Sequence, residues 1–442
     1  MSEAAALSPG NIAAAVRRSL AAQSIVDMHT HLYPPGFGTP LGGKGGVGDP
    51  DGLLLWGVDE LVTYHYLVAE LFRVTPPGRP GYEEFWRMNK CDQADLIWRE
   101  LFVDRTPLSE ACRGVLQTLK SLGLDPNEKS LARYRKYFAE QTPSGYIDKV
   151  MTLANVSTIT MTNAVFDDNE RTRWLRDGHK LADARFTAVL RIDPLVRDYA
   201  AAAQKLAQWG YAVGPQISDG GIDEIKRFLT DWLSRQRAVY VAMSLPPEFR
   251  YPTGPGTGEN EAAGLEVLRR AILPVCADMG LPFAMMIGSR LRVNPALRDA
   301  GDMVGKADIA SVVNLCRQFG KNKFFVTMLA RENQHELAVA ARKFGNLMVF
   351  GCWWFLNNPS LIAEITQMRL ELLGSSFIPQ HSDARVLDQL IYKWTHSREV
   401  IGRVLADKYE ALAAAGRSIT EADIAQDAHR LFAKNYLDFL AR

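Results

Sequence analysis

Short apolar runs punctuate the chain, and each gives way to a polar or glycine-rich stretch. Runs of this length, rich in β-branched and large apolar residues, read as buried strands. The pattern predicts eight of them, at 25–31, 157–164, 186–192, 238–244, 281–288, 323–329, 347–355 and 377–383. From about residue 150 onward they alternate with segments of helical periodicity. Strands alternating with helices build a parallel sheet. Eight such units predict an α/β fold of the (β/α)8, TIM-like barrel type.

The same pattern predicts helices outside that alternation. Residues 9–22 form an amphipathic helix that leads into the first strand. Residues 58–71, with Asp59 and Glu60 in the first turn, form another. No strand-like run occurs between 75 and 150. Phe85, Trp86, Trp98 and Phe102 recur there at helical spacing and read as the core of a helical insertion. The tail, 399–442, is helical and is expected to dock outside the barrel. The chain thus divides into 1–74 (helix, first strand and a glycine-rich loop), 75–150 (insertion), 151–398 (the rest of the barrel) and 399–442 (C-terminal helices).

Composition narrows the partners. The chain has 442 residues, 47% of them hydrophobic, enough for a large core, and its net charge of +1 is spread evenly. No basic patch offers itself to a nucleic acid, and no apolar run approaches the roughly 20 residues of a membrane span. The first residues are alanine-rich but include Glu3, and they lack the basic-then-apolar order of a secretion signal. Cys91, Cys112, Cys276, Cys316 and Cys352 are scattered at spacings that suit neither a zinc knuckle nor a redox pair. They read as reduced thiols of a cytoplasmic protein.

In a barrel of this type the chemistry sits at the C-terminal strand ends. Strand one ends in Asp27-Met28-His29-Thr30-His31. Residues i and i+2 share a strand face, so His29 and His31 project together and supply half of a metal site. Strand eight ends in His381-Ser382-Asp383-Ala384-Arg385. In a closed barrel it neighbours strand one, which brings Asp383 beside the imidazoles. Two imidazoles and a carboxylate suit a divalent cation. Arg191, Arg331 and Arg385 follow three strands and offer guanidinium forks to a carboxylate. Trp353 and Trp354 stand at the end of strand seven and can face a sugar ring. A metal for hydroxyls and a carbonyl, with arginines for a carboxylate, points to a small sugar acid as ligand.

In their order along the chain these residues resemble the uronate isomerase (glucuronate isomerase) family of the amidohydrolase superfamily. The family's His-x-His is matched by His29-Thr30-His31 and its His-Tyr pair by His65-Tyr66. Its Arg-Pro-Asp strand end is matched by Arg191-Ile192-Asp193, and its Asn-Pro-Arg-Asp-Asn loop by Leu329-Ala330-Arg331-Glu332-Asn333. Its Gly-x-x-Trp-Trp-Phe stretch is matched by Gly351 to Phe355, and its Thr-Asp-Ser-Arg segment by Ser382 to Arg385. The resemblance implies interconversion of an aldose uronate and its ketose, such as D-glucuronate and D-fructuronate. A single Zn2+ or other divalent ion would sit on His29, His31 and Asp383. Proton transfer through an enediol would then involve His65, Tyr66, Asp383 and Arg385, with Arg191, Arg331, Trp353 and Trp354 binding the substrate. Two departures mark a divergent member. Met243-Ser244 stands where the family carries Asp-His, and Met285-Met286-Ile287-Gly288 where it carries Leu-His-Ile-Gly. By the same resemblance, a two-metal hydrolase of the superfamily would carry a lysine or glutamate on strand four and histidines on strands five and six, whereas His179 and His335 fall in helical segments here; the alternative is therefore a mononuclear hydrolase, lactonase or decarboxylase of the superfamily, or a barrel that binds a sugar acid without turnover. Homo-oligomerisation is left open by the sequence.

Overall fold

A computed structural model of the chain describes residues 6–44, 46–178, 183–254 and 257–442; Glu3 and His179 lie outside the described residues. Seven strands form a curled sheet in sequential order: β1 (Ile25–Thr30), β2 (Val156–Ala164), β3 (Phe186–Arg191), β4 (Val241–Leu245), β5 (Phe283–Ile287), β6 (Phe324–Met328) and β7 (Leu347–Val349). Every neighbouring pair is parallel. Every residue of β4 to β7 is buried. Strands covered on both faces have no polar side to show, which is why they read as continuous apolar runs.

The eighth predicted strand behaves differently. Residues 377–383 join no ladder, and a single bridge pairs Ile378 with Phe350. Pro379 has no N–H to donate, and Asp383 turns into the left-handed region at φ 50°. The segment still closes the ring. On one side Ile378 N–H donates to Val349 O (3.0 Å) and Gly351 N–H to Ile378 O (2.8 Å). On the other, Asp383 N–H donates to His29 O (3.1 Å) and His31 N–H to Ala384 O (2.7 Å). The eighth stave is therefore extended chain, and it carries Asp383. Strand seven is also shorter than the pattern predicts. It stops at Val349, because Gly351, at φ 64°, turns the chain toward Trp353 and Trp354.

Buried Asp27 fastens this closure. Its carboxylate accepts from Ser382 N–H (3.1 Å) and from Trp394 Nε1–H (2.8 Å), joining β1, the stave and the helix Gln389–Ala414.

Between β1 and β2 the described regular elements are helices. The predicted 58–71 helix is two, Val58–Val62 and His65–Val74, and the break falls at Thr63 and Tyr64. Phe85, Trp98, Tyr134 and Phe138 are buried in one apolar cluster with the barrel's outer helices. The tail departs from expectation. Tyr436 and Phe439, on the helix Asn435–Ala441, join the barrel's interior cluster with Met28, Ala242, Phe325 and Phe350. The Phe439 ring lies 4.8 Å from Phe325, and Tyr436 Oη lies 3.1 Å from Thr160 Oγ1. An uncovered barrel end would leave apolar surface in water, and the aromatic face of this helix removes it. Among the described residues no helix is long and apolar enough to cross a membrane.

Candidate active site

The end of β1 and the closing stave bring His29, His31 and Asp383 together. Asp383 Oδ1 lies 3.5 Å from His29 Nε2 and 3.3 Å from His31 Nε2. A tetrahedral cation with bonds of about 2.1 Å separates its ligands by roughly 3.4 Å, which is the spacing found. Asp383 Oδ1 is buried and has no hydrogen-bond partner among the described residues. Thr162 Oγ1, 3.2 Å from His29 Nδ1, orients that ring. Burial pushes the His31 imidazole down to about 3 and so keeps it neutral, the form that binds metal. The donor set therefore fits one divalent cation. Behind it, Lys393 Nζ donates to Ser382 O (2.6 Å) and Asp383 O (3.2 Å), and burial pushes this amine down to about 8. His381 backs the corner, its ring 5.3 Å from His29 and 5.2 Å from Phe350.

A cavity of about 220 Å³ opens on this corner. A wider vestibule of about 520 Å³ shares Tyr64, His65, Asp299 and Arg385 with it. The cavity is lined by His29, His31, Asp383, His65, Arg191, Arg385, Trp353 and Trp354, so most of the residues singled out by sequence converge on one space. Arg191 is held as a fork by Asp193 (2.8 Å on each arm) and by Ser244 Oγ (3.1 Å). Arg385 is half exposed, and its nearest carboxylate is Asp299 at 3.8 Å. Trp354 stacks on Phe355 at 4.7 Å, and its buried Nε1 has no partner among the described residues.

His65 and Tyr66 start a helix at the rim. His65 Nδ1 faces the carbonyl oxygen of Asp299 at 3.4 Å. A carbonyl only accepts, so the imidazole carries its proton on Nδ1 and leaves Nε2 bare. Burial pushes this histidine down to about 3. Tyr66 does not line the cavity. Its ring packs 4.5 Å from His65, its buried hydroxyl has no partner among the described residues, and burial raises it well above the ordinary phenol range.

Arg331 is not brought to the cavity. After β6 the chain enters a 3₁₀ turn, Arg331–Asn333, with this residue at its start. It pairs with Glu364 (3.0 and 3.1 Å) and is 57% exposed, away from the cavity. Sequence reasoning passed over Tyr64, Asp299 and Asp302, which line the cavity. The break at Tyr64 had one signal, the aromatic triplet Tyr64-His65-Tyr66. The 291–302 loop had none.

Among solved structures, a uronate isomerase from Bacillus halodurans C-125 is 51% identical to this chain. The match covers 99% of this chain and 97% of that one, with a TM-score of 0.91. The chain belongs to the uronate isomerase family. A uronate isomerase from Thermotoga maritima (15% identity, 97% of each chain, TM-score 0.73) and a glucuronate isomerase from Caulobacter crescentus (15% identity, 98% of this chain and 94% of that one, TM-score 0.74) share the fold. No protein-family model and no curated protein matches the chain.

Within this uronate isomerase fold the two departures differ in consequence. Met243 is buried in the outer core, whereas Ser244 faces the cavity and holds Arg191. Met286 lines the cavity itself. The wall made by β4 and β5 thus offers a hydroxyl and a thioether to the cavity that His65 and Asp383 also line.

Proposed function

We propose that this chain interconverts an aldose hexuronate and its ketose, of the D-glucuronate/D-fructuronate type, with one Zn2+ or a similar divalent ion on His29, His31 and Asp383. The observation that carries this reading is the shared cavity: a metal-binding corner and two arginines, Arg191 and Arg385, face one space in a member of this family. Bound there, the cation would polarise the sugar carbonyl and stabilise negative charge on oxygen. The arginines take the substrate carboxylate, Arg191 held in place by Asp193 and Arg385 the more loosely held. Isomerisation moves a proton between C2 and C1 through an enediol. The bare Nε2 of neutral His65 can take up that proton and return it, while Tyr66, whose hydroxyl is buried away from the cavity, packs against the His65 ring and holds it in place. Asp383 is the second group in reach of the proton. Trp353 and Trp354 give the sugar ring an apolar wall. In this reading 1–74 and 151–398 supply the barrel, 75–150 the insertion and 399–442 the closing helices. The five free cysteines suit the reducing cytoplasm. Family membership does not favour a hydrolase, a lactonase, a decarboxylase or a barrel without turnover.

The test is an NMR time course of zinc-loaded protein with D-glucuronate, and separately D-galacturonate, in D2O. Appearance of the ketose, with deuterium entering at the transferred position, is the expected result. No conversion of either sugar by protein with stoichiometric zinc would overturn the reading.

A further inference from the structure

One loop roofs the cavity, and the proposed chemistry uses none of its side chains. It runs from 291 to 302 between two-residue strands, Ser289–Arg290 and Met303–Val304. Arg292 (φ 51°) and Arg298 (φ 53°) both sit in the left-handed region, unusual for residues with a side chain. Strain of this kind persists only where neighbours over-determine it. Here the neighbour is the helical insertion. Trp86 Nε1–H donates to Ala296 O (2.8 Å), and the Arg298 guanidinium lies over the Trp86 ring at 4.5 Å. The result places Asp299 at the junction of cavity and vestibule. Its carbonyl accepts from His65, and its carboxylate faces Arg385.

Arg385 and Arg191 are held very differently. Asp193 grips Arg191 through two short hydrogen bonds in a buried setting, so a ligand does not displace it. Asp299 reaches Arg385 only at 3.8 Å, with side chains 68% and 47% exposed. An ion pair that long and that wet contributes little and is readily exchanged. A ligand carboxylate approaching Arg385 meets Asp299 twice, as competitor for the guanidinium and as a like charge beside it.

We propose that Asp299 is a placeholder for the substrate's carboxylate, occupying Arg385 in the free protein and releasing it to an acidic sugar. It thereby sets the affinity for acids and leaves neutral sugars untouched. The inference rests on the reading of the cavity as a sugar-acid site. Removing the charge in Asp299→Asn lowers KM for D-glucuronate about two- to fivefold, the scale of an exposed ion pair, and moves kcat less. The same substitution lowers Kd, by calorimetry, for D-gluconate, a sugar acid with no carbonyl to isomerise. It leaves binding of the neutral polyol D-glucitol unchanged. In an Arg385→Ala background the gain disappears. Unchanged or raised KM and Kd for the acids overturn the proposal, as does a gain that survives loss of Arg385 or a failure of either protein to bind D-gluconate. Should the parent protein isomerise no hexuronate, the activity reading fails, and the D-gluconate comparison still decides the role of Asp299.

Discussion

The metal corner and the roof loop face each other across one cavity, and they are built by opposite means. The corner is backbone first. His29 and Asp383 are buried, stave and strand exchange main-chain hydrogen bonds, and Asp27, Thr162 and Lys393 fix the groups behind them. The roof is side chain first. Residues 291–302 have only a two-residue ladder at their base and are pinned by Trp86, while Leu291 and Val293 stand exposed. A site that must place atoms precisely for chemistry is held by rigid elements. A site that must admit and release an anion is held by contacts that can be broken. The contrast can be broken from either side, and the two sides should fail differently.

The largest effect is expected at the corner. His31→Ala or Asp383→Asn removes one of three ligands, and bound metal measured by elemental analysis should fall well below one equivalent. Turnover should drop by more than about a hundredfold, beyond the 10–100-fold that losing an outer hydrogen-bond partner costs. Thr162→Ala, which removes only such a partner, should stay inside that range and should be rescued in part by excess zinc. Equal losses in the two cases would mean that the corner is not organised around a cation.

Next come two substitutions that separate support of the corner from support of the barrel. A Cβ on Gly351 would lie 1.8 Å from His381 Nδ1, at a residue with φ 64°. Gly351→Ala must therefore push His381 against His29, at a cost of about 3 kcal/mol in urea unfolding from overpacking and backbone strain together. It should also weaken zinc binding. Phe439→Ala, at the far end of the interior cluster, should cost a similar or larger amount, about 3–5 kcal/mol, and leave zinc affinity intact. Unchanged zinc affinity in Gly351→Ala would detach His381 from the corner.

How much of this was readable beforehand follows the same division. His29, His31 and Asp383 could be placed because strand alternation and barrel closure are short-range rules, and both held even though the eighth stave is not a ladder. Arg191 and Arg385 followed from the same rule of strand ends. Arg331 did not: it opens the three-residue turn after β6 and pairs with Glu364, a partner 33 residues further on that nothing in Leu329-Ala330-Arg331 announces. Tyr64 was hidden by a helical pattern that runs through the break at Thr63. Asp299 and Asp302 lie in a loop without period, held by Trp86 from 210 residues away to Ala296. The packing of Tyr436 and Phe439 into the barrel is likewise tertiary; an amphipathic helix shows that it docks, not where.

A smaller effect is expected where the insertion meets the closing stave. Glu110 accepts from His396 Nδ1 (2.8 Å), His396 Nε2 lies 3.0 Å from Asn357 Oδ1, and Asn357 Nδ2 donates to Ser382 O (3.4 Å). Burial alone would raise the Glu110 carboxyl, but hydrogen bonds from His396 and Arg113 outweigh it and hold the group at about 2, below its usual 4.5. A carboxyl depressed in the folded state contributes stability that is complete above the unfolded value and lost as pH falls through the folded one. The native protein should therefore lose about 2 kcal/mol, the scale of a hydrogen bond to a charged group, between pH 4.5 and 2. Glu110→Gln should be less stable at neutral pH and flatter across that window in acid-unfolding curves. A parallel loss in both proteins would place the acid sensitivity elsewhere.

The smallest effect belongs to the roof, and it is the one that most directly tests how the two regions divide the work. Trp86→Phe keeps a ring under Arg298 but removes the hydrogen bond to Ala296 O, worth about 1 kcal/mol. The loop should open more often, so limited proteolysis within 291–302 should speed up severalfold, and a saturating sugar acid should slow it again. KM for D-glucuronate should rise about two- to threefold while zinc content stays at one equivalent and the unfolding midpoint hardly moves, because the corner does not depend on Trp86. Loss of zinc in Trp86→Phe would show that roof and corner are one structural unit, and the division between a rigid reacting wall and a yielding binding wall would have to be abandoned.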